Sequence, residues 1–163
     1  MRSFLILALV ALGATGCGKS PGERMGEAAI SAATGHKVDV DKDGEKVTFK
    51  TEQGDMQVAS GPSAALPADF PKDVYLPARY TIESVMQMPN AQVLALDTTG
   101  DIAAMFADAS RQMQSQGWKQ TMSMQQNAST QMLAFEKDRR SAMLTFNAEG
   151  GKVKLGLQLT KKD

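Results

Sequence analysis

The chain has 163 residues, of which 42% are hydrophobic, 22% are charged and 6% are aromatic. This length suits one domain of ordinary size, with or without a small appendage, and excludes a two-domain cofactor enzyme. The 18 basic residues balance the 18 acidic ones, so net charge does not predict a nucleic-acid partner. One cysteine, Cys17, and one histidine, His36, are too few for an internal disulfide or a zinc site of the Cys/His type.

The beginning of the chain has the pattern of an export signal. Arg2 supplies a positive charge, and an unbroken apolar run follows from Phe4 to Leu12. Such a run suits a signal peptide and is much shorter than the roughly 20 residues that span a bilayer. Small residues then lead to Cys17. The pattern predicts that the protein is exported and cut near this cysteine.

The segment Ala14-Thr15-Gly16-Cys17 resembles the cleavage site of bacterial lipoprotein precursors, although that family favours leucine where Ala14 stands. The resemblance implies a signal peptide over residues 1–16, a lipid anchor on Cys17 and a lipidated tether over residues 17–22. Gly18 stands where an aspartate would signal retention in the inner membrane. The resemblance therefore implies the periplasmic face of the outer membrane. The same residues also suit ordinary signal peptidase, which would leave the cysteine free.

Residues 23–59 predict a small helix followed by a three-stranded meander. The helix is expected over 23–34, with Gly35 as its stop. Apolar and polar residues then alternate from Val38 to Val58, interrupted by turn residues at 42–45 and 53–55. Because a unit of this size is too small to be stable alone, we expect it to dock on the main domain, on a partner or on the membrane.

Residues 60–79 predict a proline-rich spacer. The part from Leu66 to Val74 resembles a proline-punctuated segment of small bacterial lipoproteins of unassigned function, and this resemblance implies no activity. Phe70 and Tyr75 are the aromatic residues that we expect to contact a protein partner if they are exposed, together with the open face of the sheet that follows.

Residues 80–163 predict an α+β domain. The alternation of apolar residues predicts two strands before Thr99 and four strands after Gly117. The segment between them has an apolar helical face that includes Ile102 and Phe106. The predicted order is β-β-α-β-β-β-β, an antiparallel sheet with one amphipathic helix packed across it. The predicted fold class is therefore α+β, with the short helix and the three-stranded meander preceding this domain.

Asp39, Asp41 and Asp43, followed by Gly44, open like an EF-hand calcium loop, which has acidic residues at its first, third and fifth positions. Lys50 occupies the last position of the loop, where a bidentate glutamate belongs. The alternative is a hairpin with an Asp-Gly turn.

Methionine is frequent, with 11 residues in the chain. Met86 with Met88, and Met122 with Met124, each place two thioethers on one face of a predicted strand. Soft thioethers select Cu(I), so these four residues predict a copper site if they converge. Otherwise methionine fills irregular gaps in a core or forms an adaptable contact surface.

These patterns predict a membrane-anchored periplasmic lipoprotein that acts without catalysis and without a cofactor. The expected role is binding, or an accessory or assembly role, at the outer membrane with an envelope protein as partner. Two alternatives stay open. One is the handling of Cu(I) by the methionine pairs. The other is an enzyme of unknown class, for which Asp97 with Asp101, or Glu136 with Asp138, would supply the acids.

Overall fold

The computed structural model describes residues 21–41 and 45–162. In these ranges the chain forms two α-helices and nine β-strands. In chain order the elements are α1 (Pro21–Thr34), β1 (Lys37–Val40), β2 (Lys46–Thr51), β3 (Gly54–Ser60), a short 3-10 turn (Gly61–Ser63), β4 (Thr81–Met88), β5 (Ala91–Thr98), α2 (Ile102–Ser115), β6 (Lys119–Asn127), β7 (Thr130–Lys137), β8 (Arg140–Glu149) and β9 (Lys152–Lys161).

All nine strands belong to one sheet, in the order β1-β2-β3-β4-β5-β9-β8-β7-β6. Every neighbouring pair is antiparallel. The first five strands follow one another along the sheet. Helix α2 then carries the chain to the opposite edge, where β6 begins. The last four strands return by hairpins until β9 pairs with β5.

The predicted fold class, an α+β domain preceded by a separate meander, was wrong. Over the described ranges the chain forms a single nine-stranded antiparallel sheet with two helices, because the strands of the predicted meander extend the same sheet. Ser60 of β3 pairs with Ser84 of β4, and Gln57 pairs with Gln87. A three-stranded meander leaves a row of unpaired backbone groups at its edge, and β4 satisfies those groups with ladder hydrogen bonds.

The core lies on one face of the sheet, beneath α2. Leu94, Leu157, Leu144 and Leu133 stand directly opposite one another on β5, β9, β8 and β7, and none is more than 1% exposed. The apolar side of α2 packs on this face through Phe106, Ala109 and Met113, which are also buried.

The proline-rich segment between β3 and β4 completes the layer that covers the core. Phe70, Val74 and Tyr75 are buried in the same cluster as α2. The ring of Tyr75 lies 6.5 Å from that of Phe146, and the backbone N–H of Tyr75 donates to the sulfur of Met113 at 3.2 Å. Residues 60–79, which were expected to act as a spacer, therefore contribute side chains to the core.

Both edges of the sheet carry features that limit strand addition. At the β1 edge, Ser31 of α1 accepts a hydrogen bond from the backbone N–H of Val38 at 3.1 Å, and Glu27 accepts one from that of Val40 at 2.8 Å. Side chains of α1 thus take the place of a further strand. At the other edge, the pairing of β6 with β7 shifts register twice, and such irregularities disfavour further strand pairing.

Candidate functional site

The face of the sheet opposite α2 carries a row of apolar residues. Because residues directly opposite in antiparallel strands share a face, the register defines this row strand by strand. It crosses all nine strands in sheet order: Val40, Val47, Val58, Met86, Val93, Gln158, Met143, Ala134 and Met122. We call these nine residues the apolar row. Gln158 is its one polar member.

The apolar row lies on the side of the sheet away from the core. Val93, Met143 and Ala134 each adjoin a fully buried leucine in sequence, and neighbouring residues of a strand point to opposite faces. Among the described elements, α2 contacts β6, β7 and β8 from the core side, and α1 contacts β1. Eight spacings between strands of about 4.8 Å make the row roughly 38 Å long.

Further apolar side chains widen this surface at one end. Phe49 and Met56 are opposite each other on β2 and β3, whereas Val38, which is opposite Phe49 on β1, is buried. Phe49 and Met56 are half-buried, whereas Met143 in the row is 36% exposed. Open faces of antiparallel sheets are normally polar, and extended apolar patches on a surface mark interaction sites. This face is therefore the candidate interaction surface.

A charged network lies on the other face, between the proline-rich segment and β8. Arg140 donates from both terminal nitrogens to the carboxylate of Asp73, at 2.9 and 2.8 Å, and Lys137 donates to it at 2.7 Å. The indole N–H of Trp118 donates to the backbone oxygen of Asp73 at 2.8 Å, and the guanidinium of Arg140 lies 4.8 Å from the Trp118 ring centroid. We call these four residues the Asp73 network.

The two cations keep Asp73 ionised. The hydrogen bond from Arg140 holds the pKa of Asp73 far below its ordinary value, against the opposing effect of burial, and Lys137 adds to the lowering. The same hydrogen bond raises the pKa of Arg140. A carboxylate held in this way neither donates nor takes a proton near neutral pH. The Asp73 network therefore fastens the proline-rich segment to the sheet.

A cleft of about 250 Å³ lies beside this network. Its walls include Pro71, Pro89 and Leu159, together with the charged residues Asp69 and Arg140. Asp69 is the one carboxylate among the residues that line this cleft, so the cleft does not supply the converging acids that the enzyme alternative requires. Of the acids named for that alternative, Asp101 caps α2 by accepting a hydrogen bond from the N–H of Ala104 at 2.7 Å.

The structure does not bring the two predicted methionine pairs together. Met86 and Met88 lie on β4, whereas Met122 and Met124 lie on β6, five strand positions away. Both pairs point to the face of the sheet opposite α2, but about 24 Å of sheet separates them. These four residues therefore cannot hold one metal ion. This separation contradicts the predicted copper site formed by Met86, Met88, Met122 and Met124.

The predicted contact residues Phe70 and Tyr75 are not exposed. They are 9% and 6% exposed, respectively, and pack against the core. Their aromatic rings stabilise the layer over the sheet, so they are not available to anchor a partner. The sequence pattern did not distinguish aromatic residues of a solvated spacer from those of a segment that packs on a sheet.

The aspartates of the calcium-like pattern lie at the β1–β2 hairpin. Asp41 accepts hydrogen bonds from the backbone N–H groups of Glu45 and Lys46, at 3.0 and 3.1 Å, which stabilises the turn. Asp39 is exposed on β1, and Asp43 lies outside the described residues. Across the described ranges, no group of three or more histidine, cysteine, aspartate or glutamate residues is placed to hold a metal ion.

The proposed anchor, Cys17, lies outside the described residues. In the described part of the chain, neither helix has the length and apolar character needed to cross a bilayer. Comparison with protein-family models, with curated proteins and with solved structures gives no match to this chain.

Proposed function

We propose that this chain is a lipid-anchored periplasmic protein of the outer membrane that binds an envelope protein and performs no catalysis. The observation that carries the binding role is the apolar row, which crosses the sheet on the face opposite α2. The anchor rests on the resemblance of residues 14–17 to a lipoprotein cleavage site. Acyl chains anchor firmly because each buried methylene contributes about 0.8 kcal/mol.

The chemistry of the surface indicates the kind of partner. The apolar row is neutral along its whole length, so it recognises apolar side chains rather than phosphates or sugars. A second sheet or a long amphipathic helix would match its length, since sheets pack face to face at about 10 Å. The partner is therefore an envelope protein that presents an extended apolar surface of its own.

Phe49 is the position from which we expect the partner to be captured. A photo-crosslinking amino acid at Phe49 faces the candidate interaction surface, whereas the same group at Lys50 faces the other side of the same strand. After irradiation of cells, mass spectrometry should find one dominant protein adduct from position 49 that is absent from position 50. Equal adducts from both positions, or none from position 49, would contradict the proposed interaction surface.

Cys17→Ser is expected to release the protein from membranes. The substitution removes the sulfur that would carry the acyl chains, so the protein should move from the membrane pellet to the soluble periplasmic fraction. Ser20→Ala is the matched control, because it changes a nearby residue of the tether without touching the cysteine. Continued retention of the Cys17→Ser protein in the membrane would show that a lipid on this cysteine is not its anchor.

A further inference from the structure

Four methionines lie close together on the face of the sheet opposite α2, at the end of the sheet that β6 forms. Met122 and Met124 lie on β6, Met132 lies on β7 and Met143 lies on β8. Met132 is directly opposite Met124, and it is a diagonal neighbour of both Met122 and Met143. We call these four residues the methionine cluster. It shares only Met122 and Met124 with the set that the sequence predicted.

The spacing allows their sulfur atoms to converge. Directly opposite residues of an antiparallel pair have Cβ atoms about 5 Å apart, and diagonal neighbours are about 7–8 Å apart. Methionine is unbranched and has three rotatable side-chain bonds, so its sulfur can move toward a shared point. Because Met132 neighbours the other three, a metal ion above it can contact several thioethers at once.

The methionine cluster is open to solvent. Met124 and Met143 are 40% and 36% exposed, and Met122 and Met132 are half-buried. Met113 contrasts with them, because it is fully buried and its sulfur accepts a hydrogen bond from the backbone of Tyr75. Filling of the core therefore accounts for Met113 but not for the methionine cluster.

One neighbour of the cluster on this face is charged: Glu136 lies two residues beyond Ala134 on β7 and is exposed. Ala134 lies between Met122 and Met143, and Thr145 lies beside Met132. Gln158 lies beyond Met143 on β9. Ala134, Thr145 and Gln158 bear no charge, and the carboxylate of Glu136 attracts a metal ion rather than repelling it. The four sulfur atoms are soft, neutral ligands, and Glu136 lies beside them.

We propose that the methionine cluster binds Cu(I). Thioether sulfur is a soft ligand that selects Cu(I), whereas Ca²⁺ and Mg²⁺ require oxygen ligands. A thioether carries no proton to lose, so binding at these four residues does not depend on deprotonation of a ligand. Affinity should therefore stay constant from pH 5 to 8, unlike that of a histidine site. This inference is independent of the lipid anchor, whereas Met122 and Met143 also belong to the apolar row that the proposed partner would cover.

Nuclear magnetic resonance of the methionine methyl groups tests the site directly. The sample is the full chain with Cys17→Ser, so that no thiol competes, labelled with ¹³C in the methionine methyl groups. Ag(I) serves as a redox-stable stand-in for Cu(I). The methyl signals of Met122, Met124, Met132 and Met143 should shift together and saturate, while those of Met86 and Met113 stay in place. Equal shifts at Met86 and at the cluster would indicate unspecific binding to thioethers and would overturn the proposal.

Competition with a coloured Cu(I) chelator measures the affinity. Met132→Leu keeps the volume and apolar character of the side chain but removes the central sulfur, so the fold should persist. We expect this substitution to weaken Cu(I) binding at least about tenfold. Met86→Leu is the matched control on the same face and should leave the affinity unchanged. Unchanged binding in Met132→Leu would overturn the site, as would equal losses in the two variants.

Discussion

Replacing Phe146 with alanine is expected to lower the free energy of unfolding by about 4 kcal/mol. Phe146 is completely buried, and its ring lies 6.2 Å from Phe106 of α2 and 6.5 Å from Tyr75 of the proline-rich segment. Its removal leaves a cavity where the sheet, the helix and this segment meet. Urea unfolding followed by circular dichroism measures the loss.

Phe49→Ala is the matched control, because it makes the same substitution on the opposite face of the sheet. Phe49 is half-buried on the candidate interaction surface, so its loss should cost only about 1 kcal/mol in the isolated protein. A cost for Phe49→Ala as large as that for Phe146→Ala would mean that another layer already covers this face. A small cost for Phe146→Ala would contradict the shared core.

Asp73→Asn is expected to lower the free energy of unfolding by about 2–3 kcal/mol. The carboxylate is 20% exposed and pairs with Arg140 and Lys137, whose side chains are 28% and 25% exposed. The substitution leaves both cations partly buried without their anion. Asp55→Asn is the control, since Asp55 pairs with Lys50 in an exposed ion pair and its loss should cost less than about 1 kcal/mol.

The stabilising effect of Asp73 should disappear in acid. Because its pKa is lower in the folded protein than the ordinary value of about 3.9, its ionised form stabilises the fold fully above about pH 5. That contribution is lost as the pH falls below 4 toward the lowered pKa. Urea unfolding at several pH values should show a constant difference between the native chain and Asp73→Asn from pH 7 to 5, and a smaller difference at pH 3. A difference independent of pH would contradict the ion-pair explanation.

Alternation of apolar and polar residues indicated strands without any knowledge of their partners. In β8, the buried side chains of Ala142, Leu144 and Phe146 alternate with side chains on the other face. This pattern acts over neighbouring residues and is visible in the sequence. The same pattern in β2 marks Val47 and Phe49 as one face, but it does not say that this face lies opposite the core.

The partners of the strands depended on the whole fold. The pairing of β3 with β4 crosses a segment of twenty residues, and this pairing converts a predicted meander into part of one sheet. The proline pattern of that segment indicated irregular backbone, and its apolar residues left its position open. Only the packing of Phe70 and Tyr75 against the sheet shows that the segment covers the core.

The candidate sites likewise combine residues whose proximity only the tertiary structure shows. Asp73 and Arg140 are 67 residues apart, and in the sequence each is a charged residue of a loop or a strand start. Met132 was not part of the predicted copper site, since it has no second methionine two residues away. Its position became informative when the register placed it among Met122, Met124 and Met143.

The sequence by itself determined the local features of this protein: the apolar periodicity of its strands, the amphipathic helix after β5, the balanced charge and the lipoprotein-like segment that ends at Cys17. These follow from interactions between residues close in the chain, or from composition alone. Only the tertiary structure decided which face of each strand is covered, which strands pair and which methionines meet. Those contacts join residues far apart in the chain, and they are selected by the joint burial of apolar surface and the satisfaction of edge hydrogen bonds.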